Sequence, residues 1–429
     1  MQPPVLEIAV LAPAADDPAV RLPLVHLARD PDDQLLAPVQ HEVRTQLGID
    51  RPALELFVPE PAAGASPIPA LLVLEPGAPL GDGAPGTVGL DALAGAIVER
   101  AREWVDELAG HRPAPALRPA WARPGWTARI TDWLDAQLAW AGRPREGRLE
   151  QRRTWSLSTL FRTETSDGAV WLKSCMPRFH AEPSLGRWLW EHVPEDVPGV
   201  LATDAADRLV LLEEMDGPTV KDLGGESVAP EAPAVLARIA RATEDRVGEL
   251  RALGLHDRPL SRVPVQLRSV LLDPEPVAAG GLSPERARAI VGWVERQAAD
   301  LEGLGLPTTL VHGDFHAGNV ARHQGRLVIF DWSDAVVGHP LMDAAAWIWE
   351  ASDAASLAAR WETWVDAWSP RVPAAELRPR LEQVLGVGAA HQLISLDGIL
   401  RAMEPALRHS LAWSAVAYTG VLDRLVPRA

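Results

Sequence analysis

The chain has 429 residues, 47% hydrophobic and 23% charged, with a formal net charge of −17. That length exceeds one ordinary core, and that apolar share belongs to a globular protein, not a disordered one. The acidic balance argues against a general nucleic-acid binder, and no apolar run reaches the ~20 residues needed to span a bilayer. With one cysteine, Cys175, an intrachain disulfide is impossible. The opening "MQPPVLEIAV" lacks the basic stretch of a secretory signal, so the expected location is cytoplasmic.

Residues 5–12 and 20–28 are strand-like, with Pro23 placing the second at an edge or bulge. Residues 35–47 have a helical pattern that Gly48 can cap. Strand-like runs return at 54–58 and 70–75. The stretch 89–110 repeats apolar residues at helical spacing, with Leu90, Leu93, Ile97, Ala101, Trp104 and Leu108 on one face. Residues 1–110 therefore form a small α+β N-terminal domain of unstated role. The segment 111–125 carries four prolines and has the composition of a semi-rigid linker. A helix follows at 126–142, then β-rich stretches at 151–161 and 169–175, a helix near 183–192 and the strand "RLVLLEEM" at 208–215. Beyond about residue 230 the pattern is mostly helical. This order predicts a small mixed lobe over 126–216 and a larger helical lobe over 217–429.

The helical region is interrupted by "VHGDFHAGNVARHQGRLVIFDWSDA", residues 311–335. "NVAR" and "RLVIFD" flank the turn "HQG" as a hairpin. An odd-length loop puts Asn319 opposite Asp331, and an even one shifts the pair by one register. In either case an amide oxygen and a carboxylate come close enough to share a hard cation such as magnesium. Asp314, in the preceding loop, can orient a hydroxyl and accept its proton. Phosphoryl transfer needs little more than such a nucleophile and positive charge on the phosphates. His312, His316 and His323 also cluster, but Gly313 and Gly318 break the helical context that would aim histidines at zinc.

"HGDFHAGN" followed by "VIFDWSDA" resembles the catalytic and metal motifs of the aminoglycoside-phosphotransferase-like, choline-kinase-like small-molecule kinases. The resemblance covers roughly residues 125–420 and implies a two-lobed α+β, protein-kinase-like fold after the N-terminal domain. It implies Asp314 as catalytic base, Asn319 and Asp331 as magnesium ligands, and His312 as structural support. "GHPLMDAAAW" resembles a later element of the same family, with Gly338, Pro340 and Asp343 matching and His339 replacing an aspartate. Asp343 would buttress the catalytic loop.

An ATP site makes further demands. Lys173 in "GAVWLKSC" is the candidate for the phosphates, Glu182 its helical partner, and Glu191 the rival. Backbone groups near Glu213 and Met215 would meet adenine. The phosphate loop "WSLSTL" has no glycine, so Ser156, Ser158 and Thr159 would supply hydroxyl and N–H donors instead. The acceptor would bind in the helical lobe. Trp361, Trp364 and Trp368 share a helix face and form a core stripe before a substrate wall. Glu350, Asp353 and Asp397 are acids that could meet an amine. The sequence thus predicts an ATP- and magnesium-dependent kinase acting on a hydroxyl of an amino sugar, aminoglycoside or amino alcohol. Its partners are nucleotide and a small acceptor, with no nucleic acid and no membrane. The alternative is a nucleotide-binding pseudokinase serving as a regulatory module.

Overall fold

A computed structural model describes residues 5–13, 21–28, 36–60, 67–78, 87–93, 95–225, 228–273, 281–349 and 351–428. The chain forms two compact units, Met1–Pro177 with Met403–Ser410, and Arg178–Ala402 with Leu411–Ala429.

The first unit opens with a five-stranded sheet in the order Ala53–Phe57, Ile68–Leu74, Val5–Leu11, Arg21–Ala28, Thr87–Gly89. Val5–Leu11 runs antiparallel to Arg21–Ala28 and parallel to Ile68–Leu74. Strand alternation turns Leu6, Ile8 and Val10 to one face, where Leu36, Val39 and Val43 of the helix Leu36–Leu47 complete a core. The helix predicted from residue 89 begins at Gly95, because Leu90–Ala92 form a 3-10 turn and Gly95 takes a φ of +51°. Its buried face carries Ile97, Ala101 and Trp104, together with Arg100.

The β-rich stretch 151–161 folds as two strands. Glu150–Thr154, Ser158–Thr165 and Gly168–Cys175 make an antiparallel meander, and the helix Trp126–Trp140 buries Ile130, Leu134 and Leu138 and sets its Trp126 ring 6.3 Å from that of Phe161. The Gln151 amide clamps the backbone of Ala53, accepting from its N–H at 2.8 Å and donating to its carbonyl at 3.0 Å. The Pro-rich segment is packed too: Trp121 is buried and donates to the Trp155 carbonyl at 3.1 Å. Residues expected in the N-terminal domain, the linker and the first part of the small lobe, up to Pro177, therefore lie in one unit, and the rest of that lobe lies in the other.

A buried charge cluster ties these parts together. Arg100 donates to Glu55 at 2.5 and 2.7 Å and to Glu404 at 3.1 Å. Arg118 donates to Glu404 at 2.6 Å and lies 3.7 Å over the Trp104 ring. Arg100, Arg118 and Glu404 are each under 5% exposed.

The second unit starts with the helix Glu182–His192 against the antiparallel pair Val200–Asp204 and Leu209–Glu213. The rest is mostly helical, with the long helices Pro284–Glu302 and Leu381–Arg401. Two small β elements are set among the helices. One is a three-stranded sheet with Val336–Gly338 between His256–Arg258 and Thr309–Val311, and the other is the hairpin Val320–His323 with Arg326–Ile329. Among the described residues no helix is long and apolar enough to cross a membrane.

Glu404→Ala removes a carboxylate shared by two buried guanidinium groups, of which Arg100 keeps Glu55 and Arg118 keeps Glu107, and should destabilise the protein by about 3 kcal/mol, read from the urea unfolding midpoint. Arg102→Ala, which removes an exposed pair with Asp91, should leave that midpoint in place.

Candidate active site

The loop 312–319 is fixed from several sides. Its two leading N–H groups, of His312 and Gly313, donate to the two carboxylate oxygens of Asp343 at 2.8 Å each. Its Gly313 carbonyl accepts from Gln392 on the helix Leu381–Arg401 at 2.6 Å. Phe315 is fully buried, stacked on Trp347 at 5.0 Å and edge-on to Trp364 at 5.9 Å. Gly313 has a φ of +87°, and a Cβ there would run into the Asp334 carbonyl, so the position requires glycine.

His312 is fully buried, and the network sets its tautomer. Nε2 faces the Phe330 carbonyl at 3.0 Å and must carry the proton, while Nδ1 accepts from the Asp314 N–H at 3.3 Å. Burial pushes this imidazole down to about 4, so it is neutral at physiological pH. His316 Nδ1 accepts from Gly318 N at 3.0 Å, which leaves its Nε2 proton facing Asp314 Oδ2 at 3.5 Å. Asp314 lies in a protein-lined recess, yet 44% of its side chain stays open. Burial pushes its carboxyl up, but the hydrogen bond and charge of His316, aided by His312, hold it below the ordinary carboxylate range. The group is an ionised, accessible acceptor. Burial pushes Asp343 up to about 7 against the pull of its two N–H bonds.

The hairpin closes through Gln324 and Gly325, whose φ values of +50° and +78° make a type I′ turn. This is the even loop: Val320 pairs with Ile329, and the Phe330 N–H donates to the Asn319 carbonyl at 3.0 Å. Asp331 lies one residue past the position opposite Asn319. Its own φ is +61°, a left-handed conformation costing a non-glycine residue roughly 1 kcal/mol or more. Asn319 donates its amide N–H to the Asp314 carbonyl at 2.9 Å, which assigns the other end of the amide as an oxygen donor. The Ser333 hydroxyl lies 2.7 Å from Asp331 Oδ1 and 2.9 Å from Glu182 Oε2, with one proton for two carboxylates. An amide oxygen and a carboxylate oxygen are the kind of donors that suit a hard divalent cation. Among the described residues no group of three or more His, Cys, Asp or Glu side chains is placed to hold a metal ion.

Lys173 is buried on the strand Gly168–Cys175 of the first unit, and Glu182 is buried at the start of the helix Glu182–His192 of the second. Glu191 is exposed. Of the three expected hydroxyl donors, Thr159 spends its proton within the sheet region. Thr159 is fully buried and donates to the Arg153 carbonyl at 3.0 Å, and the Ser158 hydroxyl accepts from the Trp155 indole at 3.0 Å. Ser156 is half-buried in the turn between the strands. The Glu213 N–H is taken by the Gly199 carbonyl at 2.9 Å. Met215 is half-buried just past that strand. Trp361, Trp364 and Trp368 are core residues. Asp353 caps the helix Ala354–Trp368 through Ser356, Asp397 accepts from Arg401 at 2.7 Å, and Glu350 lies outside the described residues.

Sequence reasoning missed Gln392, Ser333, Asp334 and Tyr418. The signal for Gln392 was a polar pair, His391–Gln392, inside the apolar run "LGVGAAHQLISL". Burial, then the charges of Asp314 and Asp331, push Asp334 up to about 7 against Arg178 and Arg258. Burial and the charges of Asp314 and Asp334 also raise Tyr418, which stands 5.5 Å from Trp349.

Burial holds His312 and His339 near 4, against an ordinary 6.5. In that window the unfolded chain binds more protons than the folded one, so stability is full above about 6.5 and falls as pH drops toward 4, by on the order of 3 kcal/mol per histidine. His339→Asn keeps the cap on the Leu341 N–H and removes one such group. Its urea midpoint should fall less than wild type between about pH 7 and about pH 5.

Residues 151–380 match the sequence model of the phosphotransferase enzyme family. Similar solved structures include a macrolide 2′-phosphotransferase from Brachybacterium faecium, at 19% identity over 70% of this chain and 99% of that one, with a TM-score of 0.46. Another is a thermostable mutant of the aminoglycoside phosphotransferase APH(4)-Ia with ADP and hygromycin B, at 19% identity over 69% and 97%, with a TM-score of 0.42. An ethanolamine kinase from Plasmodium vivax follows at 12% identity over 64% and 80%, with a TM-score of 0.43. A sequence search of curated proteins finds no match. A family model matching more than half its length identifies this chain as a member of the phosphotransferase enzyme family.

Proposed function

We propose that this chain is an ATP- and magnesium-dependent kinase that moves the γ-phosphoryl group to a hydroxyl of a small molecule in the amino sugar, aminoglycoside or amino alcohol class, in the cytoplasm. The observation that carries this reading is the ionised, half-open Asp314 on a loop tied down by Asp343. In the proposed reaction Asp314 orients the acceptor hydroxyl and takes its proton as the new O–P bond forms, and the γ-phosphorus leaves the ADP oxygen. Asn319 and Asp331 would hold magnesium, which supplies positive charge to the phosphates. His312 holds the loop as a neutral strut, and Asp343 anchors it. Lys173 is assigned to the phosphates, with Glu182 as its carboxylate partner. The Glu213 carbonyl and the Met215 backbone are assigned to adenine. Ser156, with the backbone of its turn, is assigned to the phosphate loop.

The second reading, a nucleotide-binding regulatory module without turnover, is favoured by one observation. The turn at 155–157 has no glycine, and the neighbouring Ser158 and Thr159 hydroxyls are engaged within the sheet region.

A phosphate-transfer screen over amino sugars, aminoglycosides and amino alcohols separates the two. Under the kinase reading, Asp314→Asn lowers kcat by about 10²–10⁴ with nucleotide affinity near wild type, and Asp331→Ala abolishes magnesium-dependent turnover. Nucleotide binding without turnover on any acceptor, unaltered by Asp314→Asn, decides for the regulatory module.

A further inference from the structure

Beside the catalytic loop, the second unit carries a small recess lined by Arg178, His180, His256, Ser333, Asp334 and Ser395. Asp334 joins it to the loop, because its carbonyl packs on Gly313. The charges in this recess do not balance. Among the described residues Arg178 has no carboxylate within ion-pair distance, and Asp334 and Asp397 act on it only at longer range. Arg258, 3% exposed, lies just behind. It donates to His391 Nδ1 and to Ser395 Oγ at 2.9 Å each, and its Nε has no acceptor. It too lacks a carboxylate within ion-pair distance among the described residues. The two guanidinium groups are close enough that Arg178 helps depress Arg258, after burial itself.

The fold also makes room for this arrangement. Gly398 sits in the interior of the helix Leu381–Arg401, where glycine costs about 1 kcal/mol relative to alanine. A Cβ at Gly398 would overlap the Arg178 guanidinium, so the glycine seats that group flat on the helix. His180 and His256 stand edge to face at 6.4 Å and add further N–H donors. The only carboxylate in the lining is Asp334, whose charge is already opposed by burial and by Asp314 and Asp331. Two neighbouring guanidinium groups, one fully enclosed, need a better counter-ion than this.

We propose that this recess is an oxyanion site, taking a carboxylate or phosphate group next to the catalytic loop. The oxyanion comes either from an acid group carried by the acceptor or from free phosphate. The acceptor form rests on the kinase reading. The test reads binding without turnover, so the two can fail separately.

The experiment is thermal unfolding of the full chain with inorganic phosphate titrated in, against sodium chloride at equal ionic strength. Phosphate should raise Tm beyond the chloride control. Arg178→Gln, at a half-exposed position that tolerates change, should weaken that response at least about tenfold, and Gly398→Ala should do the same by filling the guanidinium seat. Glycerate, gluconate and glucose 6-phosphate identify the source. A response at much lower concentration than phosphate assigns the site to the acceptor's acid group, and an equal or weaker one assigns it to free phosphate. A wild-type shift no larger than that of chloride overturns the proposal. So does a phosphate response that survives Arg178→Gln unchanged, because it then belongs to another site.

Discussion

One buried carboxylate carries the geometry of the site. Asp343 takes the N–H groups of His312 and Gly313 on its two oxygens, and Asp314 is the next residue along. Each N–H would cost about 1–3 kcal/mol if left buried without a partner, so the loop cannot rearrange cheaply. Gln392 fixes the opposite side of the Gly313 peptide, and Phe315 is held between Trp347 and Trp364. Asp314 therefore departs from a backbone pinned by polar bonds on both sides and by an aromatic anchor below. The neutral His312 belongs to the same construction. Its ring spans from the Asp314 N–H to the Phe330 carbonyl and so ties the loop to the strand that delivers Asp331.

The delivery of Asp331 is strained, and the strain has a purpose in the local geometry. The type I′ turn sets an even register, and the left-handed backbone at Asp331 turns the chain at the end of the strand. Ser333, two residues on, then reaches both Asp331 and Glu182 with a single proton. Burial and the charges of Asp314 and Asp331 raise Asp334, with Arg178 and Arg258 opposing them at longer range.

The first unit is held by a different device. Glu404 accepts from Arg100 and Arg118, which come from a helix and from the Pro-rich segment, and all three are buried. Removing one member of such a cluster is far costlier than removing an exposed ion pair, because the charges left behind have lost their water. This is why a segment with the composition of a semi-rigid linker is part of a packed body here. Composition reports what a chain does when nothing binds it, and Arg118 and Trp121 are bound.

Much of this was legible in the sequence. The helical and strand periods located most elements up to about residue 215, because side-chain period is local, and beyond about 230 gave a helical character without individual bounds. The motif "HGDFHAGN…VIFDWSDA" named Asp314, Asn319 and Asp331, because their spacing is fixed by one loop and one hairpin. The sequence could not decide the hairpin register, which hung on whether two or three residues closed the turn. Nor could it show that Ser158 and Thr159 are engaged internally, since a hydroxyl's partner depends on what folds against it. Gln392, Arg178, Arg258 and Gly398 are separated from the loop by tens of residues, and no local pattern marks them as its neighbours. Short-range geometry is written in the order of residues. The balance of buried charge is decided only when distant segments share one interior.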